Sequence, residues 1–331
     1  YAATSDLNSA YVLFDNTVFE KLRIAWGVRM ERFSQNLESS DYAGNPVIVK
    51  NELTSWLPSA NLTYRINEKH QVRMSASKTV SRPEFREVAP FAFYDFYLSA
   101  SMVGEPNMTP GDIYNADLCY EIYAGRNELF SVSLFYKKFN NPIEFTFSSL
   151  GAGTRTFSFR NIPGAENYGL EVELRKTLGF ITPALDDMTF FANGALIRSK
   201  LDLSNVSNYD DDRALQGQSP YILNTGLTYN HRNLGLSTTL VYNIIGDRVA
   251  QVGTTDYADI YERRRNLLDL QLSKRLGERG EIKLTWGDIL AQDFMYYQDN
   301  NANHKFDAEV DNVMQRLNFD STLTLGFGYR F

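Results

Sequence analysis

The chain has 331 residues and a net charge of -7, a balance that argues against a nucleic-acid partner, which would call for a basic face. Its mean hydropathy of -0.34 and the lack of any apolar run of about 18 residues exclude a helical membrane protein. A membrane barrel survives this test, since a barrel strand needs only about ten residues, half of them apolar. Cys119 is the single cysteine, which excludes an intramolecular disulfide and a cysteine-based metal cluster.

In chain order, apolar and polar residues alternate with a period of two, the pattern of half-exposed strands. Such runs lie near 1–14, 18–33, 53–66, 70–80, 112–123, 129–146, 159–177, 188–201, 220–230, 234–249, 261–276, 281–290 and 319–331, giving about thirteen strands. In the second run Leu22, Ile24, Trp26, Val28 and Met30 alternate with Arg23, Ala25, Gly27, Arg29 and Glu31. Tyr168, Leu170, Val172 and Leu174 alternate with Gly169, Glu171, Glu173 and Arg175, and Leu268, Leu270 and Leu272 with Asp269, Gln271 and Ser273. The last run sets Leu323, Leu325, Phe327, Tyr329 and Phe331 against Thr322, Thr324, Gly326, Gly328 and Arg330.

Turn-forming residues predict tight connections at Asp15-Asn16-Thr17, Asn67-Glu68-Lys69, Gly125-Arg126-Asn127, Asn230-His231-Arg232-Asn233 and Gly277-Glu278-Arg279-Gly280, with a slightly longer one over 179–187. Long polar connections near 34–52, 81–111, 146–158, 202–219, 250–260 and 291–318 alternate strictly with them. Short turns at one end and long loops at the other are the plan of an outer-membrane barrel.

Charge then assigns the faces. If Leu22, Ile24 and Trp26 pointed inward, Arg23 and Arg29 would face lipid, each at a cost of about 2–4 kcal/mol near the midplane. The apolar set is therefore expected outside, and Arg23, Arg29, Arg65, Arg73, Glu171, Glu173, Arg175, Asp269 and Lys283 inside. The first and last strands run the same way, so the count is odd. A closed antiparallel barrel requires an even one, and further strands are expected at the amino end. Tyr1-Ala2-Ala3-Thr4 is no signal peptide, so the expectation is a mature product or a fragment.

Several stretches resemble TonB-dependent outer-membrane receptors of the Bacteroidetes type. They are Leu57-Pro58-Ser59-Ala60-Asn61-Leu62-Thr63-Tyr64, the run from Ser77 to Glu87 with Ala89-Pro90, and Gly104-Glu105-Pro106-Asn107-Met108-Thr109-Pro110. The last is similar to that family's G-N-P-x-L-x-P loop, departing from it at Glu105 and Met108. Phe135 to Phe139, Asn141 to Glu144 and Asn167 to Leu174 match its strand motifs. The resemblance implies roughly 22 strands around a plug, of which residues 1–331 supply the carboxy-terminal part of one barrel domain without the plug or first strands. It also implies outer-membrane lipid and the TonB complex, reached through the plug, as partners, and TonB-energised uptake of a siderophore, glycan, peptide or similar nutrient. Tyr329 and Phe331 match the signal read by the barrel-assembly machinery.

His70, His231 and His304 are too scattered for a metal or catalytic site, and no G-x-S-x-G, H-E-x-x-H or phosphate-cradling loop occurs. Ser81 to Glu84 reads as the start of a short loop helix, with Ser81 as N-cap. The aromatics Phe91, Phe93, Tyr94, Phe96 and Tyr97 could stack on a ligand or sit in an interfacial girdle. Asp299, Asn301, Asn303 and Asp307 have the alternate-residue spacing of a calcium loop, although His304 stands where that loop wants Gly and Val310 where it wants Glu. An exposed acidic loop without metal is the simpler reading. A structural or docking barrel that moves no solute and a soluble carbohydrate-binding domain remain as alternatives to the transport receptor.

Overall fold

A computed structural model describes residues 1–40, 44–96, 98–125, 127–151, 154–204, 213–231, 233–254 and 256–331. The first strands are β1 (Ala2–Val18), β2 (Leu22–Ser40), β3 (Pro46–Arg65) and β4 (His70–Ser81), followed by α1 (Phe85–Val88), β5 (Ala92–Asp95) and β6 (Ala100–Val103). Next come β7 (Gly111–Gly125), β8 (Glu128–Asn140), β9 (Ile143–Gly151), β10 (Thr154–Asn161), β11 (Gly164–Thr177), β12 (Met188–Asp202) and β13 (Tyr221–His231). The remainder are β14 (Leu236–Ile245), β15 (Arg248–Gln251), β16 (Ile260–Glu262), β17 (Arg265–Leu276), β18 (Gly280–Gly287), β19 (Phe294–Gln298), β20 (Asn312–Leu317) and β21 (Thr322–Tyr329).

Thirteen of these form one antiparallel sheet in the order β1-β2-β3-β4-β7-β8-β11-β12-β13-β14-β17-β18-β21, matching the expected number. Register joins the apolar residues of neighbouring strands into one face. Trp26 lies opposite Phe14 and Ala60, Leu170 opposite Leu134 and Leu196, and Leu270 opposite Leu240 and Trp286. Leu284 lies opposite Leu325. The charged residues expected inside share the other face: Arg73 pairs with Thr63, which pairs with Arg23, and Lys283 pairs with Ser273 and Gly326. A one-residue slip anywhere would exchange the two faces, so this agreement across the sheet fixes the register.

The long connections fold back on the polar face. Arg82 pairs with Glu31 and Gln35 Nε2 donates to the Pro83 carbonyl at 3.1 Å, while Leu215 N–H bonds Ser199 Oγ at 2.9 Å and Asn167 Nδ2 bonds Gln218 Oε1 at 2.8 Å. These connections carry two further four-stranded sheets, β5-β6-β10-β9 and β15-β16-β19-β20. The buried apolar clusters lie here and at the tall β2–β3 hairpin. Leu37, Val49, Val88, Ala89 and Met108 form one, Ala100, Phe147, Phe157 and Ile260 a second, and Val249, Val252, Tyr261 and Tyr297 a third. Wall residues such as Leu196, Leu325 and Phe327 are exposed, as expected of a face whose solvent is lipid.

Four expectations need correction. The first turn is at Phe19 and Glu20, both with positive φ (52° and 60°), rather than at Asp15-Asn16-Thr17. Strand pairing continues through Asn16 opposite Ile24, and the Phe14–Trp26 stack at 4.8 Å holds the longer hairpin. Residues 34–40 and 46–52 are strand, because Phe33 and Leu37 face the connections that cover them. Four expected strands break: 129–146 and 159–177 at Asn141-Pro142 and Ile162-Pro163, where proline cannot donate to the ladder, and 234–249 and 261–276 at Gly246-Asp247 and Arg263-Arg264. Finally α1 is capped by Glu84, whose N–H bonds the Glu87 carboxylate at 2.7 Å, not by Ser81, which ends β4.

Candidate functional site

The connections at the loop end of the sheet carry the two smaller sheets, which together form a lid. They meet where β9 and β15 exchange backbone bonds, Phe147 N–H to Val252 O and Val252 N–H to Phe145 O, both 3.1 Å. The Gln216 side chain imitates a further strand at this seam: its Oε1 accepts from Phe145 N–H at 2.6 Å and its Nε2 donates to Ala250 O at 2.6 Å. Beside it Arg213 grips Glu144 with two parallel bonds of 2.8 Å. Arg160, opposite Glu144 in register, and Asp259 approach to 3.7 and 3.8 Å. Glu144 is 0% and Arg213 4% exposed. Burial alone would lower the Arg213 pKa, but its hydrogen bonds to Glu144 and the carboxylates around it leave it raised. Two connections distant in sequence are thereby joined by one dry ion pair, with Asp259 of a third beside it.

Between the two sheets lies a cavity of about 380 Å³ whose walls include Leu98, Arg155, Gln251, Ile260 and Tyr296. Arg155 is the one charged side chain among its described lining residues, and burial chiefly raises the Tyr296 pKa, so its hydroxyl stays a donor. Tyr297, with its hydroxyl 3.3 Å from Asp247 Oδ1, is likewise pushed up by burial and anchors the third cluster. The cavity can hold a solute chiefly through polar groups, Arg155, Gln251 and Tyr296 among them, with Leu98 and Ile260 for apolar contact.

The five aromatics singled out from the sequence do not act as one group. Phe91 stacks on Tyr1 at 4.9 Å and packs on the Leu37 cluster, and Phe93 lies under the Arg86 guanidinium at 5.4 Å. Tyr94 and Phe96 meet edge-on at 5.2 Å and face solvent, Phe96 at 84% exposure. Tyr97 is outside the described residues. The Gly104 motif proves to be a brace: Gly104 N–H bonds Ala89 O at 3.0 Å, and a Cβ there would stand 2.5 Å from Ala89 backbone atoms. Gly104→Ala should destabilise the lid by about 1–3 kcal/mol, measured as faster amide exchange in α1 with the wall strands unchanged.

Over 299–311 the oxygen side chains fold the loop on itself. Asp299 accepts from Asn303 and His304 N–H at 3.2 and 2.8 Å, Asn303 Oδ1 from Lys305 N–H at 2.8 Å, and Asp307 Oδ1 from Glu309 N–H at 3.0 Å. His304 takes the positive φ of 60° where a calcium loop has Gly. Among the described residues no group of three or more His, Cys, Asp or Glu converges to hold a metal. Tyr329 closes β21 and Phe331 contacts it edge-on at 5.4 Å.

The Arg213–Glu144 pair, Gln216 and the Arg155 cavity went unnoticed in the sequence. Glu144 gave one faint signal, a lone carboxylate in the aromatic run Ile143-Glu144-Phe145-Thr146-Phe147.

A thirteen-stranded antiparallel sheet, apolar on one face and polar on the other under a folded lid, is the wall of an outer-membrane barrel. The chain belongs to the outer membrane protein beta-barrel family, whose pattern matches residues 2–324, and its place is the bacterial outer membrane. No curated protein matches it. Among solved structures it resembles the ferric yersiniabactin uptake receptor FyuA from Yersinia pestis (15% identity, TM-score 0.65, 99% of this chain and 46% of that one). It also resembles the copper transporter OprC (14%, 0.71, 99% and 48%) and the ferric citrate transporter FecA in its unliganded form (13%, 0.68, 98% and 45%). The chain thus spans about half the length of these structures.

Proposed function

We propose that this chain is part of a TonB-dependent outer-membrane receptor that takes up a nutrient, as a siderophore, glycan, peptide or related solute. The lid carries this reading: the long connections are braced into sheets over a polar lumen and enclose a cavity, an arrangement suited to capturing a solute outside and passing it inward. The uptake receptor and the two transporters that share the fold support the same class of activity. In this reading further strands of the same protein close the unpaired edges at β1 and β21, since an open edge in lipid is costly. A plug couples the lumen to the TonB complex, and the protein is of the Bacteroidetes type.

The test is uptake of labelled candidate nutrients by cells carrying the full-length protein, with and without a protonophore. Uptake that needs both the protein and an energised membrane supports the proposal. Nutrient-independent capture of a surface partner would instead favour a docking barrel. Tyr94, Phe96 and Arg155 are proposed as ligand contacts, so their alanine variants should raise the half-saturating concentration without changing the amount of protein in the membrane.

Two further roles are open to test. The simpler reading of 299–311 is an acidic loop without metal; the alternative, in which Asp299, Asn301, Asn303 and Asp307 take up calcium at roughly 0.1–1 mM, predicts a binding heat. Calorimetric titration of the full-length protein would then show heat that an Asp299→Ala, Asp307→Ala variant lacks, and equal heats would refute the site. Phe331 serves the assembly machinery, so its deletion should lower the amount of protein found in the outer membrane by cell fractionation. Unchanged levels would remove that role.

A further inference from the structure

The strands around the lid cavity depart from regular pairing where they line it. In the β9–β10 ladder the register shifts between Thr156 and Phe157, beside Arg155. In the β15–β16 ladder it shifts between Val249 and Gln251. In the β19–β20 ladder Tyr296 pairs with Gln315 and Tyr297 with Val313, so Met314 is an extra residue. Strict alternation would send Met314 and Gln315 to opposite faces, yet both line the cavity. A bulge of this kind bends its strand and re-aims a side chain, and bulges gather at binding sites. On the β6 side Ser99, also in the wall, is held at a φ of 49°, and Asp95 Oδ1 accepts from Leu98 N–H at 2.9 Å beside it. A non-glycine residue kept in that region is one whose surroundings override its local preference.

The polar groups so aimed are unspent. Gln251 is 6% exposed, yet among the described residues its side-chain amide has no hydrogen-bond partner, nor have the Tyr296 hydroxyl and the Arg155 guanidinium. Buried polar groups are nearly always paired, so an unpaired set facing one space points to a partner brought from outside. The carboxylates of the neighbouring strands are already engaged: Glu262 holds Arg248 with bonds of 2.8 to 3.0 Å, and Glu144 holds Arg213. The described lining includes no carboxylate. Arg155 thus presents one uncompensated positive charge.

We propose that this cavity binds a small solute carrying a single carboxylate, which Arg155 grips while Gln251 and Tyr296 hydrogen-bond the polar body beside it. The guanidinium fork matches the two oxygens of a carboxylate. One cation balances one negative charge, whereas a polyanionic metal chelate would bring several to a wall that offers one. The volume of about 380 Å³ lies at the small end of ligand pockets, roughly 300–1,000 Å³, and suits a solute the size of a disaccharide or a dipeptide. A uronic acid and a peptide's C-terminus both bring the required group. The inference rests on the reading of the lid as a device that captures a nutrient, and it narrows that nutrient.

The full-length protein in mild detergent is to be titrated calorimetrically with two matched pairs of probes: N-acetyl-alanyl-leucine against its carboxamide, and cellobiouronic acid against cellobiose. At least one acid should bind about tenfold tighter than its neutral partner, the scale of a hydrogen bond to a charged group. The acid that does so identifies the source of the carboxylate. Arg155→Gln should cut the preference to about twofold or less, since the amide keeps a donor without the charge. The comparison of acid with neutral probe uses the parent protein alone, so it decides the matter if the variant fails to show the heat-dependent gel mobility of a folded barrel. No preference in either pair, a preference that survives Arg155→Gln, or tighter Arg155-dependent binding of a ferric tris-catecholate would overturn the proposal. Any of these together with energised uptake of another solute would remove this inference and leave the uptake reading standing. Acid-selective binding that depends on Arg155, without energised uptake, would do the reverse.

Discussion

Replacing Glu144 with leucine should destabilise the lid by about 3–5 kcal/mol, the usual loss when one partner of a buried ion pair is removed. The loss is large because Arg213 cannot follow its charge to water: it is 4% exposed and the backbone that follows it is held in place. Leu215 N–H is bonded to Ser199 Oγ and Gly217 N–H to Val249 O at 2.8 Å. Without Glu144, among the described residues only the more distant Asp259, at 3.8 Å, would oppose that charge. Amides of 143–147, 213–218 and 248–262 should therefore exchange faster together, while those of β7 and β8 keep their rates. The double variant Glu144→Leu, Arg213→Met should recover most of the loss, because it removes both charges from the dry seam. Unchanged exchange in the single variant would mean that the seam is held by its backbone bonds and Gln216 alone.

The wall was legible in the sequence because two different solvents act on it. Lipid outside and a polar lumen inside impose a strict period of two, so Leu268-Asp269-Leu270-Gln271-Leu272 announces both strand and orientation. The lid obeys no such rule. Ala100–Val103, Arg248–Gln251 and Ile260–Glu262 are three or four residues long and become strands only through partners far along the chain. β6 pairs in parallel with β10, more than fifty residues on, and nothing local encodes that.

The same distinction explains the site. Arg213 and Glu144 are 69 residues apart, and each looks ordinary where it stands. Phe91 had the composition of a ligand contact, yet its neighbours Leu37 and Val88 make it part of a core. The turn at Phe19-Glu20 was missed because neither residue is a usual bearer of positive φ. Turn chemistry at Asp15-Asn16 lost to the pairing of a longer hairpin, since every added residue there gained a cross-strand neighbour.

The wall's two faces predict opposite outcomes for adjacent residues. Leu270→Arg should cost about 2–4 kcal/mol, because Leu270 is mid-strand in β17 and faces lipid between Leu240 and Trp286. Gln271→Arg should lie within about 0.5 kcal/mol of the parent. It faces the lumen between Thr239 and Thr285, with Asp269 two residues away on the same side to balance the added charge. Unfolding of the full-length protein in lipid vesicles, followed by tryptophan emission, separates the two. The aliphatic row next to Leu270 leaves a guanidinium only the long route along its own stem to the interface, and bending the bilayer toward it is what makes the substitution costly. Equal losses from both variants would place β17 in a different register, and with it every strand whose facing depends on that ladder.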